Sequence, residues 1–268
     1  MKIVIPSHNR HYHVKSLDFI PESYYENTYI VTRTGEQEEL YSSYKDKVNV
    51  LSFDCHNISS KRDLICRHFA NEKIWMVDDD CCLYDGQIRK YKNGNEFCYP
   101  YRKSSEESFY EFIDYSSNLL DTYPHGIVSL HVFPRPKNYF PYRLNVWGFT
   151  NAMLNLKVLT ADDLEYNYSE HSEDVVAFLN IIDKGHQSFS LAKWMLKSNR
   201  PGKPGGMTEI RTAEMISEAT KRLHEKFPQH TRIKKGWPLP DGTVPLTLLI
   251  KPKIPKKLTS ETLETFME

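Results

Sequence analysis

The chain has 268 residues with 35 Lys+Arg against 35 Asp+Glu; this length suits one large domain or two small ones, and the zero net charge excludes a histone-like or acidic-tail protein. Hydrophobic residues at 40 % and aromatics at 13 % exclude a disordered chain. No apolar run approaches the ~20 residues that span a bilayer, and MKIVIPSH is too short an apolar core for a signal peptide.

In chain order, residues 2–5 (KIVI), 28–32 (TYIVT), 48–53 (VNVLSF) and 73–77 (KIWMV) are short apolar runs of the kind that form buried parallel strands. Between them, 36–46 and 59–71 are expected helices, the second capped by Ser59 or Ser60. Residues 104–121 read as an amphipathic helix and 126–133 as a strand. Residues 172–184 form an expected helix with Ser172 as cap and Gly185 as stop, and 188–196 a strand. Residues 198–206 (SNRPGKPGG) read as a mobile loop, 207–227 as a long polar helix, and 244–250 as an extended piece. Strands alternating with helices predict an α/β domain whose ligand site lies at the strand carboxyl ends. The five cysteines, Cys55, Cys66, Cys81, Cys82 and Cys98, form no CxxC pair, so reduced thiols in a cytoplasmic protein are expected rather than a structural zinc site.

Three motifs carry chemistry. WMVDDDC at 75–81 sets Asp78, Asp79 and Asp80 directly after an apolar strand. Adjacent like charges repel beside a core, and a hard divalent cation with oxygen ligands would offset them. Asp78 and Asp80, two apart on an extended chain, point the same way and can address one ion; a plain acidic turn is the alternative. IPSHNR at 5–10 places Pro6, Ser7, His8, Asn9 and Arg10 at the first strand's end. In SSKRD at 59–63, Lys61 and Arg62 enter the start of a helix, where the macrodipole disfavours cations unless an anion such as a diphosphate is bound; a solvated basic face is the alternative.

Together these resemble the GT-A fold of nucleotide-sugar glycosyltransferases over residues 1 to about 195. Pro6–Asn9 matches the first-strand motif at the nucleotide, and Asp78–Asp80 the Asp-x-Asp metal motif. The resemblance implies a Rossmann-like α/β fold of GT-A type: a mixed, mainly parallel sheet flanked by helices. It implies a UDP-sugar donor and Mn²⁺ or Mg²⁺ held by Asp78 and Asp80, with His186 a candidate third ligand. Ser7, His8, Asn9 and Arg33 would line the nucleoside, Lys61 and Arg62 would neutralise the diphosphate, and Asp79 would contact the ribose. Glu173 and Asp174, opening a helix, match the acidic pair that supplies the base in inverting members. Trp147 and Phe149 in WGFTNA would shape the sugar or acceptor pocket, or are ordinary core aromatics.

The C-terminal part resembles the TET/JBP-associated glycosyltransferases, through Gly205, Gly206, Arg211, Phe227 and Pro228. Met207 stands where Cys is often expected. That resemblance implies transfer to a hydroxymethylated pyrimidine in phage DNA, in the host cytoplasm. Charge points the same way independently. From Lys221 to Lys257 ten basic residues face only Glu225 and Asp241, a +8 tract against a −8 remainder. Arg211, Arg232, Lys234, Lys235 and Trp237 are therefore candidate DNA contacts, with a solvated basic face as the plainer reading. The expected organisation is a catalytic core over 1–197 and a loop, helix and basic C-terminal extension over 198–268. The competing readings are a polysaccharide or protein acceptor on the same fold, and a nucleotidyltransferase, which would usually need a Gly-rich loop that IPSHNRHYH lacks.

Overall fold

The structure is a computed structural model, described for residues 1–90, 94, 96–132, 138–139, 141–146, 151–198, 212–239 and 241–252. Elements run β1 (Lys2–Pro6), β2 (Thr28–Arg33), α1 (Glu36–Leu40), β3 (Asn49–Phe53), α2 (Ile58–His68), β4 (Lys73–Met76), β5 (Cys82–Lys90), β6 (Glu96–Lys103) and α3 (Glu106–Thr122). There follow β7 (Ile127–Val132), β8 (Asn138–Tyr139), β9 (Tyr142–Leu144), β10 (Ala152–Asn155), α4 (Ala161–Leu164), α5 (Glu173–Asp183), β11 (Ser188–Lys197), α6 (Ala213–Lys226), β12 (Thr231–Lys235) and β13 (Leu246–Ile250).

One mixed sheet has the order β3-β2-β1-β4-β10-β7-β11-β5-β6-β8, with β9 also on β11. The β3-β2-β1-β4 half is parallel throughout. β10 runs against both β4 and β7, and β11 runs parallel to β7. Thus β1 to β4, β7 and β11 all point to one carboxyl edge.

The central strands bury both faces, which is why they read as unbroken apolar runs. Ile3 and Ile5 pack with Trp75, Phe109 and Phe112 under α3, while Val4, Ile74 and Met76 pack with Ile65, Ala177 and Ile181 under α2 and α5. Each such aliphatic side chain contributes roughly 1.5–3 kcal/mol on burial. A third cluster joins Val175, Val176, Phe178, Leu179 and Ile182 of α5 to Leu223 and Phe227, with Leu248 and Ile250 against it. Thus α6 and the separate β12–β13 ribbon cover the outer face of α5.

Several local expectations change. The helix expected over 36–46 divides into α1 and a 3-10 turn at Ser42–Tyr44, with Tyr41 between them fully buried. α2 is capped by Asn57, whose side chain accepts from Ser60 N–H while Ser60 returns the bond; the Ser59 hydroxyl donates to the Ser169 carbonyl at 2.8 Å. Ser172 makes no cap bond and sits at φ 68, although Gly185 at φ 82 ends α5 as expected. The loop over 198–206, the start of the 207–227 helix, and Trp147 and Phe149 lie outside the described residues, Ser198 apart. Among the described residues no helix is long and apolar enough to cross a membrane.

Candidate active site

Three pieces of chain meet at the carboxyl edge. The segment after β1 brings Ser7 to Arg10, the segment after β4 brings Asp78, Asp79 and Asp80, and the N-terminal turns of α2 and α5 bring Lys61, Arg62, Glu173 and Asp174. Backbone bonds fix the strand ends: Ser7 N–H donates to the Val31 carbonyl of β2 at 2.9 Å, and Val77 N–H after β4 donates to the Val4 carbonyl of β1 at 3.1 Å. Ser16 shapes the acidic turn, its hydroxyl donating to the Asp78 carbonyl and accepting from Cys81 N–H.

The carboxylates meet guanidinium groups. Arg62, 3 % exposed, reaches Asp78 at 2.9 Å through Nη2 and Glu173 at 3.4 Å through Nη1. Arg10 bonds Asp79 through Nη1 and lies 3.3 Å from Asp80. Asp79 also accepts from the Ser7 hydroxyl, whose oxygen is 2.6 Å from the Tyr41 hydroxyl, and that hydroxyl accepts from Arg10 N–H at 3.0 Å. Lys61, 4 % exposed, donates to the Ser7 carbonyl at 2.6 Å.

Burial dominates the electrostatics. It pushes the Asp79 carboxyl above its ordinary range against the opposing Ser7 and Arg10 bonds. It lowers the Lys61 amine, and it lowers His8, where the nearby charges of Lys61 and Arg33 act in the same sense. Burial also raises Asp174, reinforced by adjacent Glu173 and opposed by Arg62. Asp174 is half-buried and lines a small, partly open cavity with Arg62, Tyr166, Ser129, Asn151 and Ser188, where neighbouring protein atoms displace water from its carboxyl.

The donor chemistry suits a hard divalent cation. Asp78 and Asp80 offer carboxylate oxygens two residues apart, and the Asp78 side chain is 28 % exposed. Among the described residues no three His, Cys, Asp or Glu side chains are grouped to hold a metal ion.

Pro6, Ser7, His8, Asn9, Arg33, Lys61, Arg62, Asp78, Asp79, Asp80, Glu173 and Asp174 all belong to this edge, several with partners other than those expected. The offsetting anions for Arg62 are the protein's own Asp78 and Glu173. Asp79 is enclosed by Ser7 and Arg10 rather than presented to a ribose. His186 is not brought to the carboxylates. It follows the Gly185 turn just before β11 and stacks on His125 just before β7, with ring centroids 4.7 Å apart, at the opposite edge of the sheet. Arg232, Lys234 and Lys235 are exposed along β12, and Trp237 beyond it is 90 % exposed; Arg211 lies outside the described residues. Sequence reasoning passed over Tyr41 and Ser16, which looked like ordinary helix and loop residues.

A sequence model of the family described as TET-Associated Glycosyltransferase matches residues 1–205. The chain is 30 % identical over 237 residues to the Beta-glucosyl-HMC-alpha-glucosyl-transferase of Enterobacteria phage T2, covering 87 % of this chain and 84 % of that protein. Its namesake from phage T6 gives the same identity and coverage. Among solved structures, a mycobacterial protein superposes with a TM-score of 0.44 at 10 % identity, over 93 % of this chain and 83 % of the other.

Proposed function

This chain belongs to the TET-associated glycosyltransferase family, and we propose that it moves a sugar from a UDP-sugar to a hydroxyl carried by hydroxymethylcytosine in phage DNA, in the host cytoplasm. One observation carries the reading. The network of Ser7, Arg10, Lys61, Arg62, Asp78, Asp79, Asp80 and Glu173 lies wholly within residues 1–205, the stretch that the family model matches. The phage relatives' name makes β-glucosyl-HMC their acceptor. The acceptor proposed here is accordingly hydroxymethylcytosine, bare or already bearing a sugar.

Asp78 and Asp80 would hold Mn²⁺ or Mg²⁺, which when bound supplies electrostatic stabilisation of the departing diphosphate. His8, Asn9 and Arg33 surround the place where β1 and β2 end and would orient the nucleoside. Lys61, whose partner is the neutral Ser7 carbonyl, would add positive potential toward the diphosphate, and Arg62 would add to it only as far as Asp78 turns to a metal. In the reaction the acceptor oxygen bonds to the anomeric carbon, the bond from that carbon to the diphosphate oxygen breaks, and the acceptor proton passes to a base. Asp174 is the better base of the acidic pair, because Glu173 is engaged by Arg62 and serves to hold it. The base role of Asp174 goes with the inverting outcome that the resemblance implies; the relatives' name describes α-glucosyl transfer, and the anomeric configuration of donor and product is what tests that outcome here. The exposed cations Arg232, Lys234 and Lys235, with Trp237, are proposed to track the DNA backbone and meet a base.

The test is incubation with Mn²⁺ and a panel of UDP-sugars on DNA containing cytosine, hydroxymethylcytosine or glucosylated hydroxymethylcytosine, followed by nucleoside mass spectrometry. A sugar adduct confined to the modified DNAs is expected. No adduct with any donor contradicts the proposal, and proton coupling at the anomeric centre of the product reads the stereochemistry.

A further inference from the structure

Arg10 lies in the acidic turn without a role in the chemistry described above. Its position is built rather than incidental. Asn9, at φ 56, turns the chain back after β1. The Arg10 N–H then donates to the Tyr41 hydroxyl at 3.0 Å, and Tyr41 is itself fully buried. The Tyr41 and Ser7 hydroxyls lie 2.6 Å apart, and Ser7 donates to Asp79. This frame aims one guanidinium nitrogen at two carboxylates, Asp79 as a hydrogen-bonded partner and Asp80 at 3.3 Å.

The two contacts are unequal. Asp79 is buried, with Ser7 and Arg10 both bonded to it, and burial makes giving up either bond costly. Asp80 is held at a longer distance by the same nitrogen. The Asp80 contact is therefore the one that can be released. Without a metal, Arg10 offsets Asp79 and Asp80, while Arg62 offsets Asp78 at 2.9 Å. A divalent cation joining Asp78 and Asp80 meets that guanidinium as a like charge in the same turn. A diphosphate arriving with the metal gives Arg10 a new anionic partner.

We propose that Arg10 is a tethered stand-in cation. It occupies the place beside Asp80 in the ligand-free chain and leaves it for a diphosphate oxygen, keeping its hold on Asp79. The consequence is coupling: metal alone binds weakly because it must displace Arg10, and a nucleoside diphosphate strengthens metal binding by drawing Arg10 away. The diphosphate gains by the same factor from the metal. This inference rests on the divalent-cation reading of Asp78 and Asp80 given above.

The experiment measures Mn²⁺ binding by electron paramagnetic resonance of free Mn²⁺, with and without UDP, for the full chain and for Arg10→Gln. In the natural chain UDP should tighten Mn²⁺ binding about tenfold. Arg10→Gln should bind Mn²⁺ alone several-fold more tightly and lose most of the UDP enhancement. If Arg10→Gln matches the natural chain in both measurements, Arg10 is no stand-in and the inference is overturned while the metal reading stands. If neither protein binds Mn²⁺ with or without UDP, the metal reading falls and this inference with it. Should Arg10→Gln not melt cooperatively, Arg10→Lys is read in its place. Its amine keeps the charge but sits on a shorter side chain that does not reach the Nη1 position between Asp79 and Asp80, so tighter binding of Mn²⁺ alone is expected, and unchanged binding overturns the inference.

Discussion

Arg62 and Asp78, sixteen residues apart, meet at 2.9 Å because α2 starts beside the end of β4 and turns its second-turn cation back over the sheet edge. The other arm of the same guanidinium holds Glu173 of α5 at 3.4 Å. One buried cation therefore ties the acidic strand end to the helix that carries the proposed base.

Arg62→Leu leaves buried Glu173 without that guanidinium and removes the one on Asp78. Breaking a buried pair from one side costs about 3 kcal/mol or more. Urea unfolding should show a loss of that order, and a change under about 1 kcal/mol contradicts the bracing role.

Tyr41→Phe deletes the hydroxyl that accepts from Arg10 N–H and bonds Ser7. The buried groups left behind should cost about 1–3 kcal/mol, read as a lowered thermal midpoint. An unaltered midpoint means that the Ser7–Asp79–Arg10 frame stands without Tyr41.

These contacts mark the boundary of what the sequence discloses. The runs 2–5, 28–32 and 73–77 were legible because strands buried on both faces are continuously apolar, and Ile3, Val4 and Ile5 are fully buried; the run 48–53 forms the edge strand β3, whose residues are at most partly covered. The β5–β6 hairpin was not, because its exposed stretch Gln87–Lys90 lacks an apolar run; the Asn93-Gly94 pair was the available turn signal. Asp78, Asp79 and Asp80 stood out as a strand-end cluster, but the guanidinium on Asp79 comes from 69 residues away, a pairing that no local pattern encodes. His186 failed because a histidine after a helix stop carries no information about which edge of the sheet it will face.

Asp174 carries a pH signature. Its folded carboxyl is raised by burial and by Glu173, so the folded chain binds a proton more readily than the unfolded one. The stability so contributed is full below the ordinary carboxylate range and is lost as pH rises through the raised value. Asp174→Asn should therefore gain stability relative to the natural chain as pH increases, measured by denaturant midpoints across pH. The rate should also rise with pH as Asp174 loses its proton, and Asp174→Asn should lack that limb. A parallel pH dependence in both proteins contradicts the assignment.

Reversing Lys234 and Lys235 to Glu should weaken binding to hydroxymethylcytosine DNA and flatten the dependence of log K on log salt by about two, one for each phosphate no longer neutralised. Trp237→Ala should cost about 1–3 kcal/mol on single-stranded DNA, because a base can no longer stack there. Unchanged affinity and slope would remove the β12–β13 ribbon from the DNA-binding surface.

The central claim is transfer of a sugar to modified DNA by the carboxyl-edge network. Its most direct measurement is mass spectrometry of nucleosides from cytosine DNA, hydroxymethylcytosine DNA and glucosylated hydroxymethylcytosine DNA after incubation with Mn²⁺ and UDP-sugars, with Asp80→Ala run in parallel. The account predicts a hexose or pentose adduct on modified DNA alone, lost in an Asp80→Ala chain that still melts cooperatively. An adduct on cytosine DNA, or undiminished transfer by Asp80→Ala, would contradict it.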